Sequence, residues 1–428
     1  MINRIITQSS KEPQKKILHV NIGGAYGGIA RLIELWFREL ASDAIAFDYL
    51  CPAFSNHEAH EAHIREYCRY DFSREFMQLL NPEWKETTDI GEEAIEIVRK
   101  NKNYSFLKTC LIKKLVPKVL DDFVYSCKEY KRSTRLFSEK FMTHQPVDLI
   151  HIHAGSYLHV PGCIHAARKA WPKAKIWVHF HNPPVFGGLS IVDKAIIKRQ
   201  ADRLIYASYS AKSAWDELCA FTNAAVVLQN CVDATLYEPV ATRERESSSP
   251  FIFGTCARLT SVKRVDMMLQ AMSLLRQQGV NAQFHIVGDG QEMKPLEALC
   301  VSLGIREYVH FFGEQMDVRP YLNKMDCFVM TSRTEGGVPL ALLEAMAMGI
   351  PAISTPSGGA EEALVDGETG ILVSDETPDK LAEAMNCVMQ DGKAAERYGK
   401  ASRDRITEHF DSREMIHKLK RAYKCTLT

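Results

Sequence analysis

The sequence has no net charge, no long apolar run and no cysteines in CxxC spacing. Lys plus Arg and Asp plus Glu number 53 each among 428 residues, so no overall field attracts nucleic acid. No segment has the roughly 18 apolar residues of a membrane-spanning helix, and the first residues lack the apolar core of a signal peptide. The twelve cysteines are scattered, which argues against a zinc ribbon. These absences predict a cytoplasmic protein without a nucleic-acid partner.

Short apolar runs alternate with helix-like segments along the chain. The first run, KILHVNI (16–22), precedes the glycine-rich GGAYGG (23–28) and then a helical pattern. A charged, serine-rich stretch at 238–250 indicates a linker, after which the alternation restarts. Alternating strands and helices predict an α/β protein with parallel, doubly wound sheets. We therefore predict two Rossmann-like domains, 1–238 and 250–405, that face each other across a cleft.

Residues 60–145 do not follow this alternation and are mostly polar and helix-like. Between Arg99 and Lys140 there are twelve Lys and Arg but four Asp and Glu, with aromatic residues interleaved. One interpretation is a solvated helical insertion. The other is a basic surface for an anionic membrane or a lipid-linked acceptor, which would place the protein peripherally at the inner membrane face.

The stretch TEGGVPLALLEAMAMG (334–349) combines a glycine pair with an apolar helix pattern. Pro339 suits the first turn of a helix, and Gly349 suits the residue after its end. The first backbone amides of such a helix are unpaired and carry the positive end of its dipole. Glycines just before it let an anion approach closely, because they carry no side chain. The stretch therefore predicts a phosphate-binding site.

Glu344 is the only charged residue between Glu335 and Glu361. A carboxylate among leucines and methionines is costly to bury unless it is hydrogen-bonded. Either Glu344 lies on a solvated face of the helix, or its two oxygens accept hydrogen bonds from vicinal hydroxyls, such as those of a ribose.

Arg258 and Lys263 lie five residues apart in RLTSVKR, directly after a strand-like run. From the end of a strand, both side chains are able to reach one diphosphate, Arg as a planar fork and Lys as a point charge. Two exposed surface bases would explain the pair equally well in the absence of other motifs.

Taken together, these motifs resemble one known family. ARLTSVKRVDMMLQAM, HIVGDG, VHFFGE and TEGGVPLALLEAMAMG through GILV follow one another between Arg258 and Val373 in the order and spacing of the family-four retaining glycosyltransferases. GGAYGGIAR is similar to the N-terminal glycine loop of that family. The family has the GT-B fold, with two Rossmann-like domains across a cleft and a C-terminal helix, here within 406–428, that crosses back to the first domain.

The resemblance implies transfer of a sugar from a nucleotide sugar, with a UDP-sugar as the expected donor. The acceptor would be a saccharide or a lipid-linked hydroxyl in surface polysaccharide or glycan assembly. Arg258 and Lys263 would hold the diphosphate, Glu344 the ribose, and Glu335 and His181 would act catalytically beside the sugar. The implied donor-binding residues are Gly27, Gly28, Arg258, Lys263, Gly336, Gly337, Val338, Pro339, Leu340 and Glu344.

The histidines in WVHFHNPP, His179 and His181, share one face of a strand because side chains alternate. Each is either a structural side chain or a contact for the acceptor. The family has a histidine at the end of this strand near the donor sugar, and His181 fits that register. His153 in HIHAG is a second candidate.

One spacing departs from the family pattern. The two glutamates of its E-x7-E motif are one residue closer together than Glu335 and Glu344, which are separated by eight residues. Either the loop bulges at its glycine pair so that Glu335 still reaches the sugar hydroxyls, which we favour, or the backbone amides of Gly336 and Gly337 take that role.

The implied reaction retains configuration at the anomeric carbon and uses no cofactor. No DxD-type sequence stands in a suitable loop, so we predict no metal site and expect cationic side chains and the helix N-terminus to stabilise the leaving diphosphate. Two alternatives stay open: a GT-B-fold nucleotide-sugar epimerase, for which acid and base carboxylates are not evident, and a catalytically silent paralogue that acts as a binding subunit. A Rossmann dehydrogenase is disfavoured because GGAYGG is not GxGxxG.

Overall fold

Two parallel β-sheets of six strands each form the framework of the chain in a computed structural model. The structure describes residues 15–22, 28–40, 45–50, 145–155, 159–184, 191–239 and 249–427, together with some helical positions between 130 and 141. The first sheet contains β1 (Lys15–Ile22), β2 (Ile45–Leu50), β3 (Leu149–Ala154), β4 (Lys175–Phe180), β5 (Arg203–Tyr206) and β6 (Ala224–Val227). The second contains β7 (Phe251–Cys256), β8 (Ala282–Val287), β9 (Val309–Phe311), β10 (Cys327–Met330), β11 (Ala352–Ser354) and β12 (Gly370–Leu372).

Both sheets are doubly wound. The strand order is β2-β1-β3-β4-β5-β6 in the first and β12-β11-β10-β7-β8-β9 in the second. In each sheet the chain therefore adds strands first on one side of the first strand and then on the other. The helices of the described ranges are α1 (Gly28–Leu40), α2 (Val160–Ala170), α3 (Ile191–Gln200), α4 (Tyr209–Cys219), α5 (Val265–Gln277), α6 (Met293–Ser302), α7 (Arg319–Leu322), α8 (Leu340–Ala347), α9 (Ala360–Ala363), α10 (Pro378–Gln390), α11 (Gly392–Arg405) and α12 (Ser412–Leu427). The α/β class with two parallel, doubly wound sheets, predicted from the sequence, is confirmed.

Alternation along the strands sends the side chains of the first sheet into two apolar layers. On one face, Leu18 and Ile150 pack against α2, α3 and α4. On the other face, Ile17, Leu149 and Trp177 pack against α1 and α12. Because both faces are covered, the strands are buried on both sides, as expected for a parallel sheet.

Helix α12 belongs by sequence to the C-terminal end but packs on the first sheet. Leu419 and Tyr423 are fully buried there and share a cluster with Trp36 of α1. The segment that returns the chain to the first sheet lies beside the segment that leaves it. The Val232 amide donates to the Phe410 carbonyl at 3.0 Å, and the Ser412 amide donates to the Val232 carbonyl at 2.9 Å. The two segments that connect the sheets are therefore hydrogen-bonded to each other.

Some predicted features lie outside the described residues. These are Gly27, most of the basic segment between Arg99 and Lys140, and most of the helix-like region 60–145. Among the helices that the structure does describe, none is both long and apolar enough to cross a bilayer.

The packing of α12 predicts a large effect of truncating Leu419 to alanine. The side chain is fully buried, so Leu419→Ala leaves a cavity and should lower the free energy of unfolding by about 2–5 kcal/mol. Lys424→Ala, at an exposed position on the same helix, should change it by less than about 0.5 kcal/mol. Urea denaturation of both variants measures this, and equal effects would contradict the described packing.

Candidate active site

The loop between Glu335 and Pro339 lies where the carboxyl ends of the two sheets meet. It follows β10 of the second sheet, and it contacts the segment after β4 of the first. A Cβ atom placed on Gly336 would lie 2.0 Å from the carbonyl oxygen of His181 and 2.4 Å from the Cα of Asn182. Ligands of open α/β sheets bind at such carboxyl ends, so the junction marks the candidate site.

Polar side chains of the first domain hold the carbonyls of this loop. The Ser208 hydroxyl donates to the Gly336 carbonyl at 3.2 Å, and Asn230 Nδ2 donates to the Val338 carbonyl at 2.8 Å. The loop is thus fixed from the opposite domain through its carbonyl acceptors.

Helix α8 begins in this loop, as the sequence predicted. Pro339 is the extended N-cap residue, and the first backbone bond into the helix runs from the Leu343 amide to the Pro339 carbonyl at 3.0 Å. The amides of Leu340 and its two successors therefore have no acceptor within the helix. Gly349 follows the helix with a φ of 67°, the left-handed conformation expected of a residue after a C-cap.

Lys263 and Glu335 come together from neighbouring strands. They follow β7 and β10, which pair in the second sheet, and the Lys263 Nζ lies 2.5 Å from Glu335 Oε1. The Glu335 amide also donates to the Ser357 carbonyl at 2.8 Å. Arg258 follows the same strand as Lys263 but is exposed and makes no hydrogen bond or ion pair with a described residue.

Glu344 is buried within α8 and faces the other domain. Arg31 of α1 reaches it across the junction, with Nη1 2.8 Å from Glu344 Oε1. The second oxygen, Oε2, has no hydrogen-bond partner among the described residues. Burial raises the pKa of Glu344, while the Arg31 charge and the Tyr237 hydroxyl act in the opposite direction. The structure excludes the solvated-face interpretation, because the residue is 4% exposed.

His181 stands at the end of β4, where the sequence placed it. Its amide donates to the Ala154 carbonyl at 3.2 Å, and its ring Nε2 lies 3.0 Å from Nδ1 of His153. Its Nδ1 makes no hydrogen bond with a described residue. Burial lowers the pKa of His181 to about 3, so the ring is neutral at physiological pH and offers one donor and one acceptor.

One residue at the junction, Arg31, escaped the sequence interpretation. Arg31 lies one turn into α1, where a cation opposes the helix dipole, and this unfavourable position was the available signal for an anionic partner. Glu362 accepts from the Ser210 amide at 2.9 Å and from Gln229 Nε2 at 2.6 Å, which ties α9 to the first domain.

The structure brings together most of the predicted residues without testing their roles. Gly336 contacts the backbone of His181, Lys263 contacts Glu335, and Gly28 is the first residue of α1. The roles assigned to the full set stay predictions.

Part of the C-terminal half matches a protein-family model, and known proteins match about a third of the chain. The family is described as glycosyl transferases group 1, and the match covers residues 241–405. A GDP-mannose-dependent alpha-(1-6)-phosphatidylinositol monomannoside mannosyltransferase of Mycolicibacterium smegmatis is 33% identical over 155 residues, 34% of this chain and 41% of that protein. The lipopolysaccharide core biosynthesis glycosyltransferase LpsE of Rhizobium meliloti is 35% identical over 133 residues, 31% of this chain and 38% of that protein. The chain thus spans less than half the length of each of these relatives.

Solved structures match over nearly the whole chain. HepE of Anabaena in complex with UDP superposes with a TM-score of 0.66 at 16% identity, over 96% of this chain and 100% of that one. A sucrose-phosphate synthase of Thermosynechococcus elongatus gives a TM-score of 0.67 at 18% identity, over 96% and 98%. At such low identity these similarities show a shared fold only.

The contact of Gly336 with the opposite domain predicts that Gly336→Ala is destabilising. The added methyl would overlap the His181 carbonyl, and relieving the overlap should lower the free energy of unfolding by about 1–3 kcal/mol. Gly392→Ala is the matched control, because nothing lies within 4 Å of its added methyl and its backbone needs no left-handed conformation. Thermal unfolding of both variants measures the difference, and a Gly336 variant as stable as the control would contradict the contact.

Proposed function

We propose that the chain is a glycosyltransferase of the GT-B fold that transfers a sugar from a UDP-sugar to an acceptor hydroxyl with retention at the anomeric carbon. The observation that carries the proposal is the N-terminus of α8, whose first amides have no acceptor within the helix and lie between a loop held by the first domain and the buried carboxylate of Glu344. We propose a saccharide or lipid-linked acceptor in glycan assembly.

The donor would lie along α8, with its diphosphate at the helix N-terminus. Amides without acceptors and the positive end of the dipole favour an anion there. Lys263, held in the adjacent loop by Glu335, supplies a mobile positive charge, and the exposed Arg258 supplies a second. These groups would stabilise the charge that develops on the departing diphosphate, which is the main requirement of the reaction.

Glu344 would bind the ribose of the donor. Arg31 holds Oε1, and its charge acts against the burial that raises the pKa of Glu344, which leaves Oε2 as the acceptor for a hydroxyl. A buried acceptor without a partner is costly, and a ribose hydroxyl would remove that cost on binding.

The chemical step needs no nucleophile from the protein. The bond from the anomeric carbon to the diphosphate breaks, the acceptor oxygen bonds to that carbon on the same face, and the acceptor proton passes to the departing phosphate oxygen. His181, neutral and beside the loop of Gly336, would hydrogen-bond the sugar. Glu335 would contact the sugar hydroxyls when the donor draws Lys263 towards the phosphates.

UDP is proposed as the nucleotide because HepE of Anabaena, which shares the fold, was solved in complex with UDP and with UDP-glucose. The mannosyltransferase of M. smegmatis is instead GDP-mannose-dependent by name, so GDP-sugars form the comparison set. The nucleotide that most raises the melting temperature of the protein identifies the base, because a ligand of the folded state stabilises it.

Removing the Lys263 charge should abolish most of the activity. Lys263→Ala should lower kcat for release of UDP from a UDP-sugar by about 10²–10³-fold, the usual loss when one stabilising donor is removed. Lys324→Ala, at an exposed position in the same domain, should leave the rate unchanged. An unchanged rate in Lys263→Ala would refute the assigned role. Nucleotide binding without turnover in the wild-type protein would instead indicate a silent binding subunit.

The side-chain and helix charges should suffice without a divalent cation. We expect the wild-type protein to keep its transfer rate in EDTA, since Lys263, Arg258 and the amides of α8 neutralise the diphosphate. The measurement is UDP release with EDTA, and again after adding Mg²⁺ or Mn²⁺. Complete loss in EDTA that a divalent ion restores would overturn metal independence.

A further inference from the structure

Five buried histidines lie on one face of the first sheet. His19 of β1 pairs in register with His151 of β3, and His153 of β3 pairs with His179 of β4, with His181 just beyond. All five are at most 5% exposed and lie under α1 and α12. Polar rings in an apolar layer are costly unless they are hydrogen-bonded.

Four hydrogen bonds join four of these histidines and one tyrosine in a row, which we name the histidine chain. In order, they link His181 Nε2 to His153 Nδ1 at 3.0 Å, His153 Nε2 to His19 Nδ1 at 2.9 Å, His19 Nε2 to the Tyr423 hydroxyl at 3.3 Å, and that hydroxyl to His151 Nδ1 at 2.7 Å. The chain runs from the candidate site to the C-terminal helix α12.

A metal ion explains this geometry less well. His153, His179 and His181 do present ring nitrogens within 4.8 Å of one another. However, the rings of His179 and His181 are stacked, with centroids 3.9 Å apart and planes 26° from parallel. The lone pairs of imidazole lie in the ring plane, so these two rings do not direct them at one point.

We propose that His153, His19 and Tyr423 are positioning residues that fix the orientation and tautomer of His181. A neutral imidazole has one donor and one acceptor nitrogen, so each ring in the chain determines the protonation pattern of the next. Burial lowers the pKa of every histidine in the chain, which keeps all of them neutral at pH 7.

The chain has two self-consistent states, and one is favoured. If His181 donates through Nε2, then His153 and His19 also donate through Nε2, and Tyr423 donates to His151. Every histidine then has its proton on Nε2, the tautomer that an isolated neutral histidine side chain prefers. The preference of four rings together outweighs the cost of one donor at His151 Nε2, which is buried and has no partner among the described residues. The opposite direction places every proton on Nδ1. In the favoured state His181 presents Nδ1 as an acceptor, which suits a hydroxyl of the donor sugar.

The contact of His181 with the donor sugar rests on the proposed function, whereas the tautomer of His181 does not. The ring nitrogens of His181 are therefore observed directly, by long-range ¹H–¹⁵N NMR of the full chain labelled at its fifteen histidines. The spectrum of His181→Gln assigns the signals. We expect His181 to have its proton on Nε2 in the wild type.

Tyr423→Phe interrupts the histidine chain and should reverse the direction of its remaining hydrogen bonds. Without the hydroxyl, His19 Nε2 loses the acceptor that the structure shows, and a buried donor tolerates the loss of its acceptor less well than a buried acceptor tolerates the loss of its donor. The hydrogen bonds between His19 and His181 should therefore reverse their direction, which places the proton of His181 on Nδ1. Tyr206→Phe is the matched control, since Tyr206 is equally buried and its hydroxyl has no partner among the described residues.

The outcomes separate this inference from the proposed function. A wild-type His181 with its proton on Nδ1, or the same tautomer in Tyr423→Phe and wild type, would refute the chain even if sugar transfer is observed. So would stoichiometric zinc bound through one ring nitrogen of His181, whose other nitrogen keeps its proton. A tautomer change specific to Tyr423→Phe supports the chain even without transfer. With transfer, kcat/KM should fall about two- to tenfold in Tyr423→Phe alone, the equivalent of one neutral hydrogen bond.

Discussion

Direct backbone contact between the two domains is the constraint on which the candidate site depends. Gly336 meets the His181 carbonyl with no side chain between them, and within the second domain Gly359 meets the Gly337 carbonyl in the same way, where an added Cβ would lie 2.0 Å from the oxygen. Because interiors are close-packed, an extra methyl group at either contact has no free volume to occupy. Lys263, Glu335 and the N-terminus of α8 are held at a fixed height above β4 as a result.

The sequence predicted the fold and the end of α8 because both depend on local chemistry. Alternating apolar runs indicated parallel sheets, and Gly349 marked the end of α8 because its φ requires a residue that tolerates the left-handed region. The pairings across the junction were different. Arg31 with Glu344, and Glu362 with Ser210, join residues hundreds or scores of positions apart, and no local pattern gives the partner of a charge.

The extra residue between the two glutamates also has a structural account. Glu335 is held on one side by Lys263 and on the other through its amide by Ser357, while α8 keeps Glu344 within its buried face. The glycine pair between them follows the backbone of the first domain. The position of Glu335 is therefore determined by two neighbours in its own domain. The number of residues in the loop gives no information about these neighbours.

The histidine face gives the first domain a polar layer between sheet and helices. Polar networks in a low-dielectric interior are specific, because each member has few alternative partners. The second domain fills the corresponding layer with leucine and methionine from α8. The two domains thus share an architecture but differ in what orders their cores, directional bonds in one and packing in the other.

The hydrogen-bonded crossing at Val232 limits how the two domains can move. Two segments that crossed far apart would clamp the domains together, and a single crossing would let one swivel in any direction. Here the outward and return segments are joined by bonds on both sides of one residue, next to a short π-helical turn at Ile406–Phe410. Sliding of one sheet edge past the other at this crossing would break both hydrogen bonds of Val232.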